Sequence, residues 1–542
     1  MHARARRFVL APIGLAGALI GAAACSPDDG GGGAAPGTNA VNQAAPTDEG
    51  TPTDGGTITV AVGAELDGIN PVPARWSLEG NTVGSAIFDT LLTFDEDRNL
   101  VPRLATSVTP NDDATVWTIT LRDDVRFHDG TPLDAEAVKA NIEARKAVPI
   151  AGTALKQVSE VVVTSPTTLE VRMTSPWYGY DYTLAAQGGY MVAPSSLEGP
   201  DAARTAVGTG PFRLDDLYQP GQPIVVTRNE DYWGERPHLD GIEFVAIVDP
   251  DSRSNALRTG DVDMILTNDA ASVVDFRSSD GIEQVEDAAA EETFAMLNLS
   301  APPFDNPNAR AALAYGTDRA AVNEINGAGI QVDANQPYTE TERYWVAESG
   351  YPDYDPAKAS EAVAAYESET GQPLQFTIST GIGAQSSEAE TLQQQWSAVG
   401  IDAEIEVFDQ TAFLAKVFAG DFQVAMFRNF AYVNPDSNYI FWHSSYAADG
   451  GGINFGKLRS DDVDSALETA RKTPDEATRE AEYQKLVQAI NAELPYIWLY
   501  HVDWGLAADE KVGGLPAAQR LGFARQDAKP WWTEIWVDQS QP

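Results

Sequence analysis

The stretch that decides the fold is "TVWTITLRDDVRFHDGTPLDAEAVKANIEARKAV", Thr115 to Val148. Its first half alternates as a strand does, with Val116, Ile119 and Leu121 read as one face and Trp117 as the other. "HDG" at His128 to Gly130 is a turn, because Gly130 can take positive φ. "TPLD" at Thr131 to Asp134 has the spacing of a capping box, with proline at the first helical position. A helix is therefore predicted over Ala135 to Val148. A strand, a tight turn and a capped helix in succession point to an α/β chain.

The same alternation extends outward. "TITVAV" (Thr57–Val62) reads as a first strand, and Ser159 to Met173 reads as two β-rich runs around a turn. Asp240 to Leu266 reads as strand, helix, strand, and one helix runs from about Asn308 through "RAALAYGTDRAAVNEI". "PLQFTIS" is a strand, "SSEAETLQQQWSAVG" an amphipathic helix ending at Gly400, and "IDAEIEVFD" the next strand. A long helix from Asp475 stops at Pro495 and is followed by the strand-like "YIWLYHV".

Composition is 43% hydrophobic and 21% charged, typical of a globular chain. The net charge of −44, from 80 acidic and 36 basic residues, excludes a nucleic-acid binder. It also disfavours adsorption onto anionic lipid and fits solubility in an exterior compartment. A body of about 485 residues is too long for one core, so two or three lobes are expected.

The first residues read as an address. Arg4, Arg6 and Arg7 precede an apolar run, Phe8 to Ala24, that is short for a membrane span and interrupted by Pro12 and glycines. Ala22-Ala23-Ala24 leads into Cys25, the single cysteine. The segment resembles the bacterial lipoprotein signal: residues 1–24 would be removed and Cys25 diacylated, and two acyl chains suffice for anchoring. The other reading is an ordinary secretory signal cut near Ala24, with a spare thiol. Residues 25–54 are rich in Gly, Asp, Pro and Thr and read as a flexible tether.

"LVPRLATSVTPNDDATVWTITLRDDVRFHDGTPLDAEAVKAN" (Leu100 to Asn141) resembles the hallmark stretch of family 5 extracellular solute-binding proteins. Further similar blocks are "GTGPFRL" (Gly208–Leu214), "VVTRNEDYWGERPHLDGIEF" (Val225–Phe244), "ALRTGDVDM" (Ala256–Met264), "APPFDNPNARAALAYGTDR" (Ala301–Arg319) and "LPYIWLY" (Leu494–Tyr500). The resemblance implies a type II periplasmic-binding-protein fold. Lobe I would comprise residues 55–297 and 505–542, with an inserted subdomain at about 89–204. Lobe II would comprise residues 298–504, with hinge crossings near Asn298–Ser300 and His501–Trp504. It implies the receptor of an ABC importer, closing on its ligand and delivering it to permease and ATPase subunits. It would act as a monomer on the extracytoplasmic face of the cell membrane. No cofactor, metal or reaction is expected.

The resemblance places two segments at the ligand. In the first, Arg75, Trp76, Ser77 and Glu79 fall on a cleft-lining loop, where Trp76 offers an apolar face to ligand or to lobe packing. The second is "MFRNFAYVNPDSNYIFWHSS", Met426 to Ser445. Peptide-binding members carry an aspartate four residues before the proline, which pairs with the peptide α-ammonium. Here Ala431 stands four before Pro435, so the anchor is missing; Asp436 is the candidate to replace it. Arg428 and Asn429 suit a carboxylate or planar polar group, or Arg428 serves an ion pair. Tyr432, Tyr439, Trp442 and His443 add stacking surface, and Gln187 and Tyr190 close one end.

Most matching blocks read as architecture: "RFHDG" as a turn bonded through Asp129, Tyr232 and Trp233 as packing, "GTGPF" as a close backbone approach. Dipeptides or oligopeptides lead as ligands. A sugar, an opine-like compound, a metal chelate or a sensory role without import are the alternatives. With no HExxH and no GxSxG, a lipid-anchored hydrolase is disfavoured.

Overall fold

Thr57–Val62 forms the strand predicted for it. The computed structural model describes residues 50–74, 76–95, 99–430, 434–448, 452–516 and 531–540. Among them, eleven strands join one sheet. Ten run in the order Asp402–Phe408, Gln375–Gly381, Val424–Phe430, Ile282–Leu297, Tyr496–Asp509, Met264–Thr267, Thr57–Val62, Gly241–Ala246, Ile224–Arg228 and Phe212–Leu214. Val332–Asp333 pairs onto Tyr496–Asp509 off that path. Cys25, the signal and most of the tether lie outside the described residues.

Two long antiparallel strands carry the sheet across its middle. Ile282–Leu297 pairs with Tyr496–Asp509 over most of its length. Only its later residues, Glu291 to Leu297, also pair with Val424–Phe430. Only the later residues of its partner, Gly505 to Ala508, also pair with Met264–Thr267. The first long strand thus gains an outer neighbour part-way along, and the second exchanges Val332–Asp333 for Met264–Thr267. On the first strand the change coincides with a register shift between Asp287 and Glu291, upstream of the crossing expected at Asn298–Ser300. On the second it falls at Val502–Trp504. A bulge kinks and twists a strand locally, and nothing in residue pattern marks it in advance.

A separate four-stranded sheet, ordered Ala105–Pro110, Val116–Leu121, Thr168–Met173, Val158–Ser165, packs on helix Ala135–Ala147. Its core runs from Leu91 to Ala193. Trp117 points into that core together with Ile119 and Leu121, and Val116 lies on the opposite, half-buried face. The face assignment made from sequence is therefore corrected: successive strand residues alternate sides, so Trp117 belongs with the odd-numbered set. The helix cap is corrected too. Asp134 accepts from the Ala137 amide at 2.9 Å, while Pro132 bridges back to Arg126. Gly316–Asp318 breaks the expected helix near 308–325 into Pro307–Tyr315 and Arg319–Asn326, because Asp318 caps the second.

Seven described helices start at an aspartate whose carboxylate accepts a first-turn amide: Asp134, Asp249, Asp269, Asp318, Asp355, Asp409 and Asp475. Part of the acidic excess thus satisfies helix N-termini and their dipoles, beyond any solubility role. The first and last described segments lie side by side. Thr53 donates to the Val537 carbonyl at 2.7 Å and Gln539 to that of Asp54 at 3.2 Å.

Candidate ligand cleft

The change of strand partners gathers a polar cluster. Arg428, on Val424–Phe430, lies opposite Thr293 and reaches Glu291 at 3.3 Å. Trp504, on the second long strand, donates its indole N–H to the same Glu291 carboxylate at 3.3 Å. Glu388, from helix Ala384–Ala398, accepts from the Tyr500 hydroxyl and from Thr293 at 3.5 Å. Glu79 enters from the first turn of helix Leu78–Ile87, held by the Ser77 hydroxyl at 2.5 Å. Burial works against the Arg428 charge, but Glu291, Glu79 and Glu388 outweigh it and hold the guanidinium pKa above its ordinary value. Burial also pushes the Glu291 carboxyl up, against the pull of Arg428 and with the help of Glu79.

The opposite face of the same strands carries Glu292 and Asn429, which are register partners. Asn429 donates to Glu292 Oε1 at 3.4 Å and to Asn438 Oδ1 at 3.2 Å. Glu292 Oε2 and the Tyr338 hydroxyl are buried and carry no hydrogen-bond partner. Burial, reinforced by the Glu342 carboxylate, holds Glu292 well above the carboxylate range. An unmet buried polar group costs about 1–3 kcal/mol, so this pair carries an unfavourable polar burial.

Of the residues expected at the ligand, Glu79 and Arg428 come together in the first cluster, with Ser77 supporting Glu79, and Asn429 lies on the opposite strand face beside Glu292. Arg75, Ala431 and Tyr432 lie outside the described residues. Trp76 is spent on packing. Only 5% exposed, it donates its indole N–H to the Gly68 carbonyl at 2.9 Å and lies on helix Leu78–Ile87 where Gly84 leaves room. A Cβ at Gly84 would stand 2.2 Å from the ring. Tyr190 packs edge-on against Trp76, and Gln187 donates to the Pro71 and Ala74 carbonyls.

Asp436 is not a free anchor. It accepts from Arg471 Nε at 2.7 Å and its terminal nitrogen at 3.0 Å, and from the Trp177 indole N–H at 2.5 Å. A buried carboxylate needs such partners, and here they come from segments remote in sequence. Arg471 sits over the rings of Tyr439 and Trp177. Trp442 is buried in the core, and its carbonyl accepts from Asn454 at 3.1 Å. His443 stacks on Tyr439, and its Nδ1 accepts the Ser445 amide at 3.1 Å. The expected stacking surface is largely a packed layer. Among the described residues no group of three or more His, Cys, Asp or Glu side chains is arranged to hold a metal.

The acids Glu291, Glu292 and Glu388 and the pair Trp177 and Arg471 went unread. The acids left one signal, "EE" set inside the apolar run "AAAEETFAML". Two consecutive carboxylates in a buried strand are unusual and mark function or pairing.

Burial pushes the Glu388 carboxyl up to about 7, against the Tyr500 hydrogen bond and Arg428. Its folded pKa exceeds its unfolded one, so its contribution to stability is complete below about pH 4.5 and is lost as pH rises toward 7. Between pH 4.5 and 7.5 the wild type is expected to lose up to about 3 kcal/mol more than Glu388→Gln. Urea midpoints at both pH values check this; parallel losses in the two proteins would refute it.

Comparison with known proteins decides the family. The model for bacterial extracellular solute-binding proteins, family 5, matches residues 99–451. The chain belongs to family 5 of the bacterial extracellular solute-binding proteins. The glutathione-binding protein GsiB of Salmonella paratyphi A is 27% identical over 496 residues, covering 87% of this chain and 94% of GsiB. The nickel-binding periplasmic protein of Escherichia coli is 26% identical over 487 residues, covering 84% and 90%. The periplasmic binding protein DppA of Helicobacter pylori, solved with the peptide STSA, superposes with a TM-score of 0.80 at 23% identity, covering 90% and 99%. The fold is thus the type II periplasmic-binding-protein fold.

In this family 5 protein the recognisable blocks converge on one buried carboxylate, Asp89. It accepts from Arg103 Nε at 2.9 Å and its terminal nitrogen at 2.5 Å, both from the "LVPRLA" block. Thr209 of "GTGPF" donates at 3.1 Å, and Tyr232 and Trp233 of "NEDYWG" donate at 3.2 and 2.9 Å. Gly208 and Gly210 press on the Ile87 carbonyl, where a Cβ would come within 2.1 and 2.6 Å. In "RFHDG", Asp129 accepts the Thr131 amide at 3.0 Å and the His128 ring bonds the Gly210 carbonyl at 3.0 Å. These motifs hold together the exit and return of the segment that carries the four-stranded sheet, and they are architecture.

Proposed function

We propose that this family 5 receptor captures a small zwitterionic solute, with short peptides as the leading class, and delivers it to the permease of an ABC importer. The observation that carries the reading is the cluster of Arg428, Glu79, Glu291 and Glu388 at the point where both long strands change partners. It presents a guanidinium among carboxylates, a setting that suits a ligand bearing both charges. The two halves of the sheet are joined by these two strands, so closure is a rotation about Asp287–Glu291 and Val502–Trp504 that ligand contacts favour.

The relatives support a peptide or a peptide-sized ligand without fixing one, since they are named for glutathione, nickel and a tetrapeptide complex. Mass spectrometry of solute retained through purification tests the class. A set of short peptides is the expected result. A single sugar, opine-like compound or metal chelate would overturn the peptide assignment while leaving the receptor role in place.

Membrane attachment through a lipid on Cys25 belongs to the same reading, carried by the small residues before the cysteine and the polar tether after it. Cys25→Ser is expected to move the protein from the membrane fraction to the soluble one. Equal membrane retention of both would exclude the anchor.

A further inference from the structure

We propose that Glu292, together with Tyr338 and Asn429, receives the ammonium group of the solute, at a position different from the one Ala431 leaves uncharged. The inference rests on the receptor reading above and names the subsite that gives it chemical selectivity.

Glu292 is 1% exposed and Tyr338 3% exposed. The Glu292 Oε2 and the Tyr338 Oη are both without a hydrogen-bond partner. Among the described residues, no Lys, Arg or His side chain forms an ion pair with Glu292. Arg428, the cation beside its register partner Asn429, belongs to the opposite strand face and is engaged by Glu291. Around Glu292 stand Asn429 on the paired strand, His501 as register partner on the second long strand, and Tyr338 and Glu342 from one loop. Glu342 is itself positioned by the Thr339 amide at 2.8 Å and hydroxyl at 3.2 Å. Aromatic rings continue from this nest: Tyr338 lies 5.8 Å from Tyr344, which lies 5.2 Å from Tyr483.

This donor–acceptor balance is one-sided. Two carboxylates offer acceptors, the Tyr338 hydroxyl can both give and accept, and among the described residues Asn429 is the only side-chain donor bonded to Glu292. A primary ammonium brings three donors and one positive charge, which would satisfy Glu292 Oε2 and relieve its repulsion with Glu342. Neighbouring rings favour a cation over a neutral guest. Burial and Glu342 make ionised Glu292 unfavourable without such a guest.

The test uses two probe pairs on the whole protein: trialanine against N-acetyltrialanine, and butylamine against N-butylacetamide. Calorimetry is expected to show each amine binding at least tenfold more tightly than its acetylated counterpart. Glu292→Gln is expected to abolish that preference while leaving the melting temperature of the unliganded protein unchanged or higher, because glutamine is a neutral isostere. Tyr338→Phe is expected to weaken the preference severalfold. Retention of the preference in Glu292→Gln, or its absence from both pairs in the wild type, overturns the inference. A Glu292-dependent preference for butylamine with no binding of trialanine supports the subsite and overturns the peptide class alone.

Discussion

Asp436→Ala is expected to destabilise the protein by about 3–5 kcal/mol, the range for removing one partner of a buried ion pair. The carboxylate is 3% exposed and holds two nitrogens of Arg471 and the Trp177 indole. Without it, Arg471 keeps its charge between the rings of Tyr439 and Trp177 but loses its counter-ion. Arg471 is almost fully buried, so solvent can restore little of that loss. Replacing both members, Asp436→Ala with Arg471→Met, is expected to recover much of the stability, since the stranded charge goes as well. Denaturant titration of the three variants checks the pattern. A single-mutant loss below about 1 kcal/mol would show that the pair is solvated.

The Trp177 contact gives this variant a second consequence. Trp177 belongs to the core of the four-stranded sheet, whereas Asp436 and Arg471 lie between the two long strands in sequence. Tyr178 adds a backbone bond to the Arg471 carbonyl at 2.9 Å. Asp436→Ala is therefore expected to raise amide exchange around Trp177–Tyr178 more than in strand Val116–Leu121.

Asp89→Ala is the second large effect, again about 3–5 kcal/mol. One fully buried carboxylate collects five donated hydrogen bonds from Arg103, Thr209, Tyr232 and Trp233. Its loss leaves a half-buried guanidinium without its counter-ion and three further donors without their acceptor. Asp89→Asn keeps one oxygen acceptor and the volume but replaces the other with a donor facing donors, so it too is expected to destabilise, by about 2 kcal/mol or more. Chemical denaturation measures both. A neutral Asp89→Asn would mean that the charge is dispensable and that shape alone holds the site.

Local elements were legible because their signals are local. Thr57–Val62, Gln375–Gly381 and the helix ending before Pro495 follow from period, cap and stop residues within a few positions. The family blocks were legible as well, and Asp89 explains why they occur together. The candidate site was legible only in part. Glu79, Arg428 and Asn429 were named, but Asp436 was read as available because its partners, Arg471 and Trp177, are 35 and 259 residues away. For Trp76 the sequence leaves ligand contact and lobe packing both open, because the close fit of Gly84 beneath it appears only after the helix forms. The change of strand partners at Asp287–Glu291 depends on a register shift between distant strands, which no window of residues encodes.

The stapling of Thr53–Asp54 to Val537–Gln539 has a practical consequence. A folded body whose first and last described segments touch can be cut elsewhere and rejoined there by a short linker with little loss of structure. New termini in an exposed loop, such as the turn near Gly371–Gln372, would yield a circular permutant. A fluorescent domain fused at such a break would turn solute capture into an optical signal.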